Sequence, residues 1–146
     1  VHPSPAGILI MQKPSISTSV GVNGGSMKKL IFVSLLVNIA VLIPVCLGLI
    51  TEAVWAEEGY GPITPARGIL LSIYIAILLI SLLLLRNPDP KLVAPLLLVQ
   101  VIYKFSTPLT VGTLQNPVVL SNLGIAVLHT ITLWTIWSSL KGQLVE

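Results

Sequence analysis

The chain has 146 residues, 54% of them hydrophobic and only 9% charged, with a mean hydropathy of +0.96, far from the roughly 25% charged content of soluble domains. That balance excludes an ordinary soluble domain, and a formal charge of +3 scattered over single residues and short pairs excludes the clustered basic face that nucleic acid requires. The length holds one domain of three or four membrane spans, and a single cysteine, Cys46, rules out an intrachain disulfide and argues against a thiol metal site.

Residues 1–26 are rich in Ser, Gly and Pro and begin with Val, whereas Met27 is followed directly by Lys28 and Lys29. They read as a disordered leader ahead of a natural start at Met27; their one apolar run, Gly7 to Met11, is too short to span. The domain proper is then 27–146. After Met27 a signal peptide and a retained span compete. Lys28, Lys29 and the small-residue pattern Val54-Trp55-Ala56 fit the first, but the apolar run from Leu30 to Ile50 exceeds the usual 7 to 15 or so residues of such a region and favours a span over 29–50. Ile43-Pro44-Val45-Cys46 fails as a lipoprotein box because Val45 stands where Gly, Ala or Ser is needed. Pro44 cannot donate to the Ala40 carbonyl and predicts a local bend.

Thr51 to Ala66 carries Glu52, Glu57, Glu58, Trp55 and Tyr60, and its Gly59, Gly61, Pro62 and Pro65 break any long helix. Trp55 and Tyr60 suit the headgroup level. Thr64 followed by Pro65 is a good start for the second span, over 67–85. Between Arg67 and Arg86 runs GILLSIYIAILLISLLLL without one charge, about the length that crosses a hydrocarbon core of roughly 30 Å. On it Gly68, Ser72 and Ala76 recur every four residues, a strip of small side chains where another helix can approach closely. Tyr74 points about 200° away from Ser72, taking about 100° per residue, and is left outside the candidate site.

Arg86-Asn87-Pro88-Asp89-Pro90-Lys91 is a tight charged turn. The third span, over 92–111, has Pro95 in its first turn and carries Gln100, Tyr103 and Lys104. The fourth, over 117–139, begins at Pro117 and holds Asn122, His129, Trp134 and Trp137, the tryptophans marking an interface. Lys28, Lys29, Arg86, Lys91 and Lys141 fall on one side and Arg67 alone on the other, which puts both termini in the cytoplasm. Short loops between spans predict an all-α, membrane-embedded antiparallel four-helix bundle in up-down-up-down order.

With its polar loop and the stretches TPARGILLSIYIAILLISLLLLR and NPVVLSNLGIAVLHTITLWTIW, the layout resembles the small bacterial four-helix membrane proteins of unknown function with a DoxX-like arrangement. The resemblance covers Met27 to Leu140 and carries no functional residue over. It implies a bacterial plasma membrane and an accessory or uncharacterised role.

At about 1.5 Å per residue, Lys104 lies about 20 Å above Lys91 and so roughly 10 Å below the far surface, while Asn122 lies about 8 Å below that surface. Gln100, His129 and Asn38 come out near the midplane. Gln100 and Lys104 share a helix face, and Asn122 and His129, seven apart, nearly share one. The sequence thus predicts a small polar pocket between spans three and four, opening outward, with Lys104 as its cation and His129 as its inner end. The structural alternatives are a Lys104 that snorkels outward or meets Glu52, and Asn122, His129, Gln100 and Asn38 as interhelical hydrogen-bonding residues.

No catalytic set, cofactor motif or metal constellation stands out. One His without a carboxylate or thiol at its depth is a poor acid-base apparatus, and no Asp or Glu lies within any span. The leading expectation is therefore a non-enzymatic accessory or structural subunit, with membrane lipids and either a membrane-protein partner or further copies of itself as partners. The alternative is a small transporter or binder of an anionic or quinone-like ligand using Lys104, Gln100, Asn122 and His129.

Overall fold

The computed structural model describes residues 24–142 and is all-helical over them. The five helices are α1 (Gly24–Ile50), α2 (Val54–Tyr60), α3 (Pro65–Arg86), α4 (Pro90–Val111) and α5 (Pro117–Gly142). All but α2 are long and apolar enough to cross a membrane. Residues 24–26, which the sequence assigns to the leader, form the start of α1; the rest of that leader, 1–23, and the last residues, 143–146, lie outside the described residues.

Local chemistry sets the helix ends. Thr64 caps α3, its Oγ1 accepting from the Arg67 amide at 3.3 Å, with Pro65 behind it. Asp89 caps α4 in the same way, accepting from the Lys91 amide at 2.9 Å. Gly112 ends α4 in the left-handed conformation at φ 75°, its amide donating to the Pro108 carbonyl, a geometry glycine adopts without a Cβ penalty. The loop after α1 is not free of helix: α2 fits seven residues between Ala53 and Gly61, because the breakers expected there begin only at Gly59.

Each long helix buries one stripe. On α4 it is Val93, Leu97, Gln100 and Lys104; on α5 it includes Asn122, Ala126, His129, Thr132 and Ile136, the three-and-four spacing of a helix face turned to a core. α4 packs chiefly on α5, and α1 on α3 and α5, while α3 and α4 touch sparsely. Ile31, Leu35, Leu84, Val93, Leu97 and Ile136 form one apolar cluster. Leu42, Cys46, Leu49, Ala56, Tyr74 and Ile77 form another, beneath α2. Outward faces are equally apolar, with Leu83 at 66% and Val99 at 61% exposure. Such a surface is unsustainable in water and natural against lipid. The chain is therefore a multi-pass membrane protein.

The small-residue strip of α3 lies on that outward side. Gly68, Ser72 and Ala76 are exposed, and a Cβ at Gly68 would meet nothing within 4 Å, so no helix among the described residues uses the strip. The inward face of α3 is the opposite one, through Arg67, Tyr74, Ile77, Ser81 and Leu84. Leu and Ile cover both sides of this span, so its apolar pattern carried no direction; the buried Arg67, Tyr74 and Ser81 supply it.

Candidate functional site

Four hydroxyl and amide side chains tie α1 into the bundle. Ser34 Oγ and Thr132 Oγ1 lie 2.8 Å apart across α1 and α5, and Asn38 Nδ2 donates to Ser81 Oγ of α3 at 3.3 Å. Asn38 is thus an interhelical hydrogen-bonding residue, as its depth suggested.

A second polar group sits where α4 faces α5, toward the end that carries α2. Lys104 Nζ donates to Asn122 Oδ1 at 3.0 Å and lies 4.9 Å from the centre of the Tyr103 ring. Asn122 Nδ2 donates in turn to Thr107 Oγ1 at 3.4 Å. Lys104 is 4% exposed, so it does not snorkel, and Glu52 is not its partner. Among the described residues no carboxylate pairs with this ammonium. Gln100 and His129, on the same two stripes, are 1% and 0% exposed, and among the described residues neither side chain has a hydrogen-bond partner on any of its polar atoms. Orphaned polar atoms at that burial are costly unless water or a ligand meets them.

Above this group opens a cleft of about 590 Å³. Its walls come from α2, α3, α4 and α5, with Tyr60, Tyr74 and Tyr103 as aromatic faces and Thr107, Asn116 and Asn122 as polar ones. Of the residues predicted from sequence, Asn122 alone lines the cleft. Lys104 donates to Asn122 but does not itself line the cleft, and Gln100 and His129 are packed away on the inward stripes, so the opening is wider and nearer the α2 end than a gap between two spans.

No family model, curated protein or solved structure matches the chain. The resemblance in layout thus stands without a matching relative, and the site is read from its own chemistry.

The cleft residues that the sequence left out are informative. Tyr60 meets Tyr74 edge to face, ring centres 6.0 Å apart at 75°, and burial pushes its phenol up to about 12, keeping it neutral at ordinary pH. Asn116 Nδ2 donates to the Gly59 carbonyl at 3.0 Å while its Oδ1 accepts from the Val118 amide at 2.8 Å. One side chain therefore caps α5 and fastens α2 over the cleft. The arrangement offers neutral hydroxyls and amides, aromatic faces and one cation in reserve. It offers no nucleophile with a base beside it.

Proposed function

We propose that this protein is a small, non-enzymatic membrane protein that binds an anionic or quinone-like molecule in the cleft at its α2 end. The observation that carries the reading is the Asn122 floor with Lys104 behind it: a buried ammonium bonded to an amide, without a carboxylate, next to about 590 Å³ of tyrosine-lined space. An ammonium desolvated without a counter-charge is unfavourable, and an anion or a carbonyl oxygen at the cleft floor would offset that cost. The aromatic walls suit a flat ring.

The reading includes an up-down-up-down antiparallel order, supported by short connections and by the Asn116 to Gly59 bond between loops 51–64 and 112–116. It also places both termini in the cytoplasm, with support from the distribution of Lys and Arg, and takes a bacterial plasma membrane from the layout resemblance. A second reading is an accessory subunit without a ligand, docking another membrane protein or a further copy of itself. The exposed strip of Gly68, Ser72 and Ala76 favours it, since small residues admit close helix approach.

Titrating the detergent-purified protein with benzoate and with a short-chain benzoquinone, followed by tyrosine fluorescence, tests the first reading. Saturable binding to at least one of them is expected, and Ser106→Trp, which places an indole in the cleft, should abolish it. Linear, unsaturable changes with both probes would refute it.

A further inference from the structure

A second site, separate from the cleft, stands at the start of α3. Arg67 is 7% exposed; its Nη1 donates to the Gly61 carbonyl at 2.9 Å, and its Nη2 is buried without a partner. Arg67 lines a separate pocket of about 110 Å³ together with Glu52, Thr64 and Gly68, and no hydrogen bond or ion pair joins its spare nitrogen to Glu52. A guanidinium cannot lose its charge, so an idle N–H edge calls for an acceptor.

The pocket's position narrows what that acceptor is. Arg67 lies in the first turn of a membrane span, which is headgroup level, and the helix start adds partial positive charge. Glu52 contributes the opposite charge to the same small space. From Gly68, itself part of the pocket, the small residues Ser72 and Ala76 continue down the exposed face of α3, with Ile69 at 64% and Ile73 at 49% exposure beside them. That is a shallow groove leading from a charged pocket into the region of the acyl chains.

We propose that this pocket seats the headgroup of a phospholipid carrying both a phosphate and an ammonium. The phosphate lies on the guanidinium of Arg67, whose buried Nη2 has no partner among the described residues, and the ammonium lies toward Glu52. One acyl chain follows Gly68, Ser72 and Ala76. This accounts together for a nitrogen and a neighbouring carboxylate without partners, and a small-residue strip without a covering helix, among the described residues.

Native mass spectrometry of the full chain in a mild detergent tests it, with three probes added separately: dioleoyl phosphatidylethanolamine, dioleoyl phosphatidylglycerol and the chain-free headgroup glycerophosphoethanolamine. The expected result is a retained phosphatidylethanolamine adduct at collision energies that strip the other two. Arg67→Gln should weaken that adduct about tenfold, the loss of one charge-assisted hydrogen bond. Glu52→Gln should remove the preference over phosphatidylglycerol, and Gly68→Leu should weaken retention by filling the groove with the charges intact. If Arg67→Gln does not fold, Arg67→Lys, which keeps the charge and loses the planar fork, takes its place. Equal retention of the two lipids by the wild type, or retention unchanged by the Arg67 variants, would overturn the proposal. So would chain-free headgroup held as firmly as lipid, which means a soluble phosphate ester, or a protein subunit seated on the strip instead.

Discussion

Replacing Gly48 tests how α2 is seated over the cleft. Gly48 is buried on α1, and a Cβ there would overlap Cζ2 and Cη2 of Trp55 and stand 2.9 Å from its Cε2. The indole thus lies directly on the helix backbone, and α2, which carries Trp55, supplies Glu58, Gly59 and Tyr60 to the cleft. Two opposing terms decide the outcome. Ala in a helix interior gains about 1 kcal/mol over Gly, whereas forcing extra volume into a packed contact costs about 1–3 kcal/mol. Gly48→Ala should therefore lose up to about 2 kcal/mol. Gly48→Leu gains no more propensity and overlaps further, so it should be clearly destabilising. With Trp134 and Trp137 both replaced by Phe, Trp55 is the sole tryptophan, and its quenching by acrylamide reports the displaced ring. Gly48→Leu should raise quenching and lower the thermal midpoint in detergent. Unchanged quenching together with an unchanged midpoint would refute this seating.

Other expectations follow from individual contacts. Lys104→Met should insert and fold with no loss in thermal midpoint, because a buried ammonium without a counter-ion gives way to an apolar chain of similar length, while benzoate binding disappears; an unfolded variant would remove support for the ligand reading. A double-mutant cycle on Ser34→Ala and Thr132→Val should give a coupling of about 0.6 kcal/mol, the usual scale of a hydrogen bond between membrane helices, read by reversible unfolding in detergent. Asn116→Ala removes a helix cap and the Gly59 contact together, so it should cost about 1 kcal/mol or more and speed proteolysis around α2. A reporter active only outside the cytoplasm should be active when fused after Gly112 and silent after Glu146; the reverse pair contradicts the proposed orientation.

The spans were legible because hydrocarbon imposes a length and excludes charge, so Arg67 and Arg86 bracket α3 within a residue or two of its ends. The juxtaposition of Lys104 and Asn122 was also legible, since rise per residue fixes depth and four-residue spacing fixes a face. Lateral direction was not. On α3 both faces are Leu and Ile, so nothing in the pattern told whether the Gly68, Ser72 and Ala76 strip faces the bundle, and Tyr74 was set aside when it is 5% exposed and lines the cleft. Arg67 read as a lone topology signal, because nothing local foretells that its guanidinium turns back to Gly61. The cleft itself depends on α2, a helix of seven residues whose position rests on Gly48 and Asn116, contacts distant in sequence.

Whether the proposed cleft at the α2 end holds a small molecule can be read on the protein as it leaves the membrane. The most direct test is the intact mass of the protein purified gently from the membranes that make it, compared with the Ser106→Trp variant purified alongside. The account predicts a discrete small-molecule adduct on the wild type that is absent from a folded Ser106→Trp. Bare polypeptide mass in both, or a stoichiometric protein partner with no small molecule, would contradict it.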